Sequence, residues 1–455
     1  MLIGIWGLGI LGLQLILAAV LFRHRMGFLD ASFVFNQILL SGDLNIMVGR
    51  YGSFVTQIFP LIGLKFGLDY EFCVFLYGLS FNLFALAGGY ILFRINAFKW
   101  IWVLVCYQLL FVSDGFFWTN NEIHQAMVWF CLAMGLFEYM GQQGQANGLR
   151  YGVFFVLSWL AISTHPLMLV VCGYVIGIEI LQLFERKSAI DWKKLAILLF
   201  GLIAKWVASL QNWYDGDKLS QVRSFDFANH PSWPWLPNVE RFFMELVTTY
   251  HIGLLVFGFL MWVFFNRFTW SIVFALLSLF TYVVMVAMVV PDYHKFYIES
   301  QWMLISVILV LPIFDKVLEI PNVILKLVLF LSMIMWMVQF APALEKSRKR
   351  LDFHKFVFEK LRDQQVSKAM ISGLPAEKLA LLEMPWGLPT ESLLLSKIWG
   401  EKPITWLLIG SDRDTINKDV FHDCFQTIPI SKFPSWMEVD TLSPYRVKVY
   451  DELFE

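Results

Sequence analysis

The sequence predicts an α-helical polytopic membrane protein of about 11 transmembrane helices, followed by a small C-terminal α/β soluble domain. Three observations lead there. The 455 residues are 58% hydrophobic and 17% aromatic but only 16% charged, outside the balance of a soluble globular chain. Apolar runs long enough, or nearly long enough, to cross a bilayer recur through the first three quarters of the chain. After Pro342 the composition turns mixed and polar, beginning Glu345-Lys346-Ser347-Arg348-Lys349-Arg350. The same composition excludes other classes. A net charge of -1 gives no electrostatic footprint for nucleic acid, and there is no zinc-like Cys/His spacing or Gly-rich phosphate loop. Cys73, Cys106, Cys131 and Cys172 fall in apolar runs and Cys424 stands in the polar tail, so no disulfide framework assembles.

The first run, 3–22, ends in Arg23-His24-Arg25 without a small-residue cleavage site and reads as a retained helix. A long connection, 23–71, follows. It is too apolar for a hydrated linker and too rich in Asp, Arg, Asn and Gln for a span, which predicts amphipathic segments lying at the membrane surface. Further runs lie at 72–93, 100–112, 123–140, 151–162, 166–184, 195–210, 246–265, 268–290, 302–318 and 323–341. The transmembrane part is thus expected over 1–343 and the C-terminal domain over 344–455. In the latter, the pattern predicts a helix from Leu351 to Met370, a strand from Leu379 to Met384, a short helix capped by Thr390, and a strand from Ile404 to Ile409.

Threading fixes the expected sides. With the N-terminus cytoplasmic, alternate short connections place Arg94, Lys99, Arg150, Arg186, Lys187, Lys193, Lys194, Arg267, Lys316 and Lys326 inside. The 23–71 loop and the C-terminal domain then face away from the cytoplasm. Compact loops and the missing disulfides suggest a bacterial inner membrane. The connections on the outer side are the ones rich in Asp, Glu, His, Trp and Asn, which describes a protein working on that face.

Asp30 is the principal candidate in the first loop. A carboxylate near apolar spans is costly unless paired or solvated. It could cap an interfacial helix, act as a general base, or bind a divalent cation, Mg or Mn. Glu122 opens the run at 123–140, where the helix dipole alone would favour it, and His124 and Gln125 share its opening turn. His165, before Pro166, lies at the membrane edge as a turn residue or a ligand contact. Arg50, His294 and Lys295 are the groups suited to an anionic phosphate, with interfacial anchoring as the alternative. Trp233, in the aromatic stretch His230-Pro231-Ser232-Trp233-Pro234-Trp235, could stack on a sugar ring or belong to the interfacial aromatic belt.

Together, the amphipathic first loop with Asp30, the acidic second outer loop with Asp114 and Glu122, the helical bundle and the C-terminal domain resemble the GT-C superfamily of polytopic glycosyltransferases. That resemblance implies a polyprenyl-phosphate-linked sugar as donor and inverting transfer to an unidentified glycan, lipid or protein acceptor. It implies Asp30 as catalytic base or metal partner and Asp114 or Glu122 as an assisting acid; beside it, the residues themselves suggest Glu122 and His124 for positioning the acceptor and Arg50, Asp114, His165, His294, Lys295 and Trp233 as substrate contacts. Members carry paired acids in the first loop, whereas Asp30 is followed by Ala31, a departure that bears on whether a divalent cation takes part. The C-terminal domain would hold the acceptor or a partner subunit. Two other readings stay open: a secondary transporter or lipid flippase, which would show ionisable residues at mid-bilayer depth and broken helices, and a non-catalytic subunit of an envelope assembly.

Overall fold

The computed structural model describes residues 2–110, 112–119, 122–186, 191–225, 233–266, 269–289, 295, 298–299, 304–319, 321–382, 387–402, 404–409, 420–422, 427–429, 432–434, 437, 439 and 446–449. The chain is mostly helical. Every apolar run seen in the sequence coincides with helix, but not every run makes a span. Among the described residues six helices are long and apolar enough to cross a membrane: α1 (Leu2–Val20), α5 (Tyr70–Arg94), α9 (Met168–Arg186), α10 (Trp192–Gln211), α14 (Trp270–Val289) and the long helix beginning at Asn322. A seventh arises if α12 (Pro237–Thr248) and α13 (His251–Asn266), bent by 94° at their junction, count as one. The expected eleven is therefore not reproduced. The remaining runs form helices that are too short, such as α6 (Phe98–Leu109), broken, such as α15 (Ile305–Val310) and α16 (Phe314–Leu318), or more polar, as in α7 (Glu122–Gln142) and α8 (Asn147–Thr164).

Small residues let these helices approach closely, as is usual between apolar helices. A Cβ on Gly7 would meet Ile101 at 2.5 Å, on Gly89 Leu11 at 2.6 Å, on Gly88 Val128 at 2.7 Å and on Gly135 Leu92 at 2.3 Å. These contacts draw α1, α5, α6 and α7 into one packed group. Helix starts follow local chemistry: the Asp69 carboxylate accepts from the backbone N–H of Glu71 and Phe72 at the head of α5, and Asp191 accepts from Lys194 N–H at the head of α10.

The 23–71 connection is largely helical. It contains α2 (Phe22–Met26), α3 (Leu29–Ser41), two short 3-10 turns and α4 (Phe54–Lys65). Gly42 ends α3 in the left-handed conformation, φ +65°, with its N–H donating to the Ile38 carbonyl, so Asp43 sits in a turn.

Helix α17 runs unbroken from Asn322 to Asp363 and contains Pro342, so the expected boundary at 343/344 falls within a single helix. Its first half is apolar and its second half carries the chain away from the bundle. Beyond it, β1 (Lys368–Ser372) stands where the sequence suggested more helix, and α18 (Ala376–Leu382) where it suggested a strand. Helix α19 (Leu388–Ile398) and β2 (Trp406–Ile409) agree with expectation, with Ile404 in an isolated parallel bridge to Val439, although Thr390 lies within the first turn of α19 and does not cap it. Strand β1 pairs in parallel with β2 and with β5 (Arg446–Val449), and β3 (Val420–His422) pairs antiparallel with β4 (Thr427–Pro429). Over Leu379–Leu382 the strand reading is corrected to helix, because a short apolar run does not by itself distinguish the two; residues 383–384 lie outside the described residues.

Two main hydrophobic clusters result among the described residues, beside a small one of Ile3, Leu325 and Leu329. The larger fills the helical bundle. The smaller joins α3, the start of α5, the end of α17, α19 and the sheet, with Phe35, Tyr77, Phe358, Leu394 and Trp406 all buried. The C-terminal part therefore shares its core with the helix that carries Asp30.

Candidate functional site

Asp30 lies in the first turn of α3, directly after Leu29, and is part-buried. Among the described residues its carboxylate has no hydrogen-bond or ion-pair partner. Burial, reinforced by the nearby Glu122 carboxylate and opposed by Arg50, pushes it up to about 7. A carboxylate with that value is half-ionised near neutrality, the condition in which a general base works best.

Arg50 organises the surrounding charge. Its Nη1 lies 3.0 Å from Glu122 Oε1, its Nη2 lies 3.3 Å from Asp215 Oδ1, and its guanidinium sits 5.4 Å from the centre of the Tyr214 ring. Asp215 also meets Lys205 Nζ at 3.5 Å. Helix α11 (Trp213–Ser224) supplies Tyr214 and Asp215, and Asn212 ties it to the first loop by donating to the Val48 carbonyl at 3.2 Å. His165 faces the same group: burial, then the positive charges of Arg50 and Lys205, hold its imidazole well below the ordinary value. Its Nδ1 accepts from Leu167 N–H, as a turn histidine would.

The fold thus brings Asp30, Arg50, Glu122 and His165 together from four separate elements. Asp215, Lys205 and Tyr214 complete the group. The sequence displayed Asn212-Trp213-Tyr214-Asp215 mainly as an aromatic stretch, and only the pairing with Arg50 singles out the acid. Because Arg50 neutralises two carboxylates, Arg50→Gln is expected to lower stability by about 2–3 kcal/mol, read as a lower thermal midpoint in detergent, with Arg50→Lys recovering part of the loss. Gly52, two residues on, lies under α8: a Cβ there would sit 2.0 Å from Thr164 Oγ1 and 2.6 Å from the Leu160 carbonyl, and Gly52 O accepts from Trp129 Nε1. Gly52→Ala should therefore displace the Arg50 loop and lower the midpoint, by about 1–3 kcal/mol.

His124 does not join this group. Two residues along an α-helix is about 200° of rotation, so His124 leaves the Glu122 face and packs edge-on against Tyr107 at 5.3 Å, lining a different cavity with Arg25. Gln125, three residues on, does return to the Glu122 side and accepts from Thr56 Oγ1 at 3.2 Å.

Asp114 and Lys295 form a separate cluster. Lys295 Nζ lies 3.2 Å from Asp114 Oδ2 and 3.6 Å from Glu299 Oε1, and Lys346 Nζ lies 3.1 Å from Asp114 Oδ2. Glu299, fully buried, also accepts from Ser113 N–H and hydroxyl, Gly115 N–H and the Tyr250 hydroxyl. Burial alone would pull the Lys295 ammonium down, but Glu299 and Asp114 outweigh it and hold it above its usual value. The expectation that Arg50 and Lys295 flank one site is thereby corrected: each is satisfied by its own acids. The i,i+4 spacing of Lys295 and Glu299 was the available signal for the missed glutamate. Trp233 lies tilted against Phe225, ring centres 5.9 Å apart, and is over a third exposed. His294 lies outside the described residues. Among the described residues no group of three or more His, Cys, Asp or Glu side chains is arranged to hold a metal ion.

A third buried cluster fixes α3 in place. Glu391 of α19 accepts from Leu29 N–H at 2.6 Å and from Arg350 Nη2 at 2.5 Å, with His354 Nε2 at 3.6 Å. Ser32 and Asn36 of α3 reach Thr390. Leu29 itself has φ +31°, a conformation strained for a side-chain-bearing residue, so the Glu391 contact sits at the strained residue that precedes Asp30. Comparison with protein-family models, with curated proteins and with solved structures gives no match for this chain.

Proposed function

We propose that the chain is an integral membrane glycosyltransferase that moves a sugar from a polyprenyl-phosphate-linked donor to an acceptor on the extracytoplasmic face. The observation that carries the reading is the unpaired Asp30 carboxylate, pushed to about 7, on a helix outside the apolar spans. In this mechanism Asp30 accepts the proton of the acceptor hydroxyl as that oxygen attacks the anomeric carbon. The bond from the anomeric carbon to the phosphate oxygen breaks, and the lipid phosphate leaves with the electron pair. Glu122, neutralised by Arg50, keeps Asp30 proton-hungry through its charge and orients Arg50. Should a divalent cation take part, Asp30 and Glu122 are the acids that would hold it.

Within the reading, the eleven apolar runs include helices that cross the bilayer with help from neighbouring protein, the N-terminus is cytoplasmic, and the C-terminal part forms an extracytoplasmic unit that holds α3 and offers a surface to the acceptor or a partner subunit. A transporter reading draws on the 94° break between α12 and α13 and on buried Lys205, but Lys205 is neutralised by Asp215 close to Arg50.

The test is a transfer assay with purified protein in lipid nanodiscs and a panel of radiolabelled polyprenyl-phosphate sugars. Label passing to an acceptor fraction supports the reading. No turnover of any donor, by protein that still complements loss of its gene, would sink it.

A further inference from the structure

Arg25 is a buried cation in an unusual state. Arg50, Lys205, Lys295 and Arg350 each face at least one carboxylate. Arg25, only 3% exposed, faces none among the described residues. Its Nη1 donates to Asn82 Oδ1 at 2.5 Å, its guanidinium lies 4.6 Å from the centre of the Phe116 ring, and its buried Nε has no hydrogen-bond partner. A buried, uncompensated guanidinium is costly to a fold, and burial leaves it cationic at neutral pH, at about 9.

Arg25 lines a small cavity of about 40 Å³ together with Gln14, Asn82, Gln108, Thr119 and His124. Two acceptors in that group, Gln14 Oε1 and Gln108 Oε1, are buried without a partner. The cavity thus offers an unneutralised planar cation and two waiting acceptors. A carboxylate would answer the cation but bring no donor to the glutamines. A phosphate monoester answers the cation and one of the glutamines: its oxygens suit the guanidinium fork, and near neutrality, with a second ionisation close to 6, part of it retains one O–H to donate.

We propose that Arg25 is the cation of a phosphate-monoester subsite inside the bundle, separate from the Asp30 cluster, with Thr119 and His124 as further polar wall. The inference goes beyond the transferase reading and stands if no sugar is moved. The phosphate could be the head of a lipid phosphate or free inorganic phosphate, and the two sources are distinguishable.

The experiment uses the full-length protein in phosphatidylcholine nanodiscs. Farnesyl phosphate, inorganic phosphate and farnesol are titrated separately, read by tryptophan fluorescence, since Trp118 borders the cavity, and by thermal midpoint. Binding of farnesyl phosphate but not farnesol supports a lipid-phosphate subsite; binding of inorganic phosphate as well supports the subsite with free phosphate as a ligand. In either case Arg25→Gln should weaken binding at least about tenfold, with Arg25→Lys intermediate. Arg25→Gln should also keep or raise the midpoint of the unliganded protein, because it removes an uncompensated charge; a purely structural arginine would lower it. Absence of binding by either phosphate, equal binding of farnesol, or undiminished binding by Arg25→Gln overturns the proposal. If Arg25→Gln does not fold, Arg25→Lys decides: unchanged affinity in that variant overturns it.

Discussion

Asp30→Asn should reduce transfer by about 10²–10⁴-fold while leaving the protein folded and, above neutrality, more stable than the wild type. The first half follows from the role of a base: its removal costs the general-base contribution of about 10²–10⁴. The second half follows from linkage. The folded-state value of Asp30, about 7, is raised above that of an exposed aspartate, so its contribution favours the folded state at low pH and is lost as pH rises through about 7. Above that point the ionised carboxylate is a burden of about 1–3 kcal/mol, after allowing for its partial solvent access. The asparagine carries no such burden. Thermal midpoints of the two proteins should therefore coincide near pH 4 and diverge by pH 8, with the variant higher. Wild-type activity should rise with pH along a limb centred near 7. A variant that is less stable at pH 8, or a flat pH profile between 6 and 8, would mean that Asp30 is a structural cap.

The second large effect is expected at Glu391. Burial would raise its carboxyl, but Arg350 and His354 outweigh burial and hold it below the usual glutamate value. The sign is opposite to that at Asp30: stability from this depressed group is present above the unfolded value and disappears as pH falls through the folded one. Glu391→Ala strands the Arg350 guanidinium, which is only 5% exposed, and removes the acceptor for Leu29 N–H. Breaking one partner of a buried pair costs about 3–5 kcal/mol, so the midpoint should fall sharply and α3 should become open to protease. Glu391→Gln is the informative companion. It can keep the bond to Leu29 N–H while losing the charge, so transfer surviving in Glu391→Gln but lost in folded Glu391→Ala would assign the backbone contact as the positioning element for Asp30. Equal transfer in both would separate α3 geometry from the reaction.

Much of the candidate site was legible in the sequence, and its gaps have identifiable causes. Asp30, Arg50, Glu122 and His165 could be selected because charged and polar residues bordering apolar runs need a reason to be there. Sidedness then gathered them on one face. Sidedness has no resolution within that face, which is why Lys295 and Asp114 were grouped with Arg50 although the fold gives them a separate cluster with Glu299 and Lys346. His124 was misassigned for a simpler reason, the 200° that separates it from Glu122 on their helix.

The sequence by itself determined that the chain is helical and carries apolar segments long enough to cross a membrane. Those properties depend on composition and on short-range periodicity, which are local. Only the tertiary structure decided which charges neutralise one another, how many helices are long enough to cross a membrane, and that the C-terminal part shares a core with α3. Glu391 reaching Leu29 across 362 positions has no local signature. Such pairing is set by packing, because a buried charge accepts whichever partner the fold delivers to it.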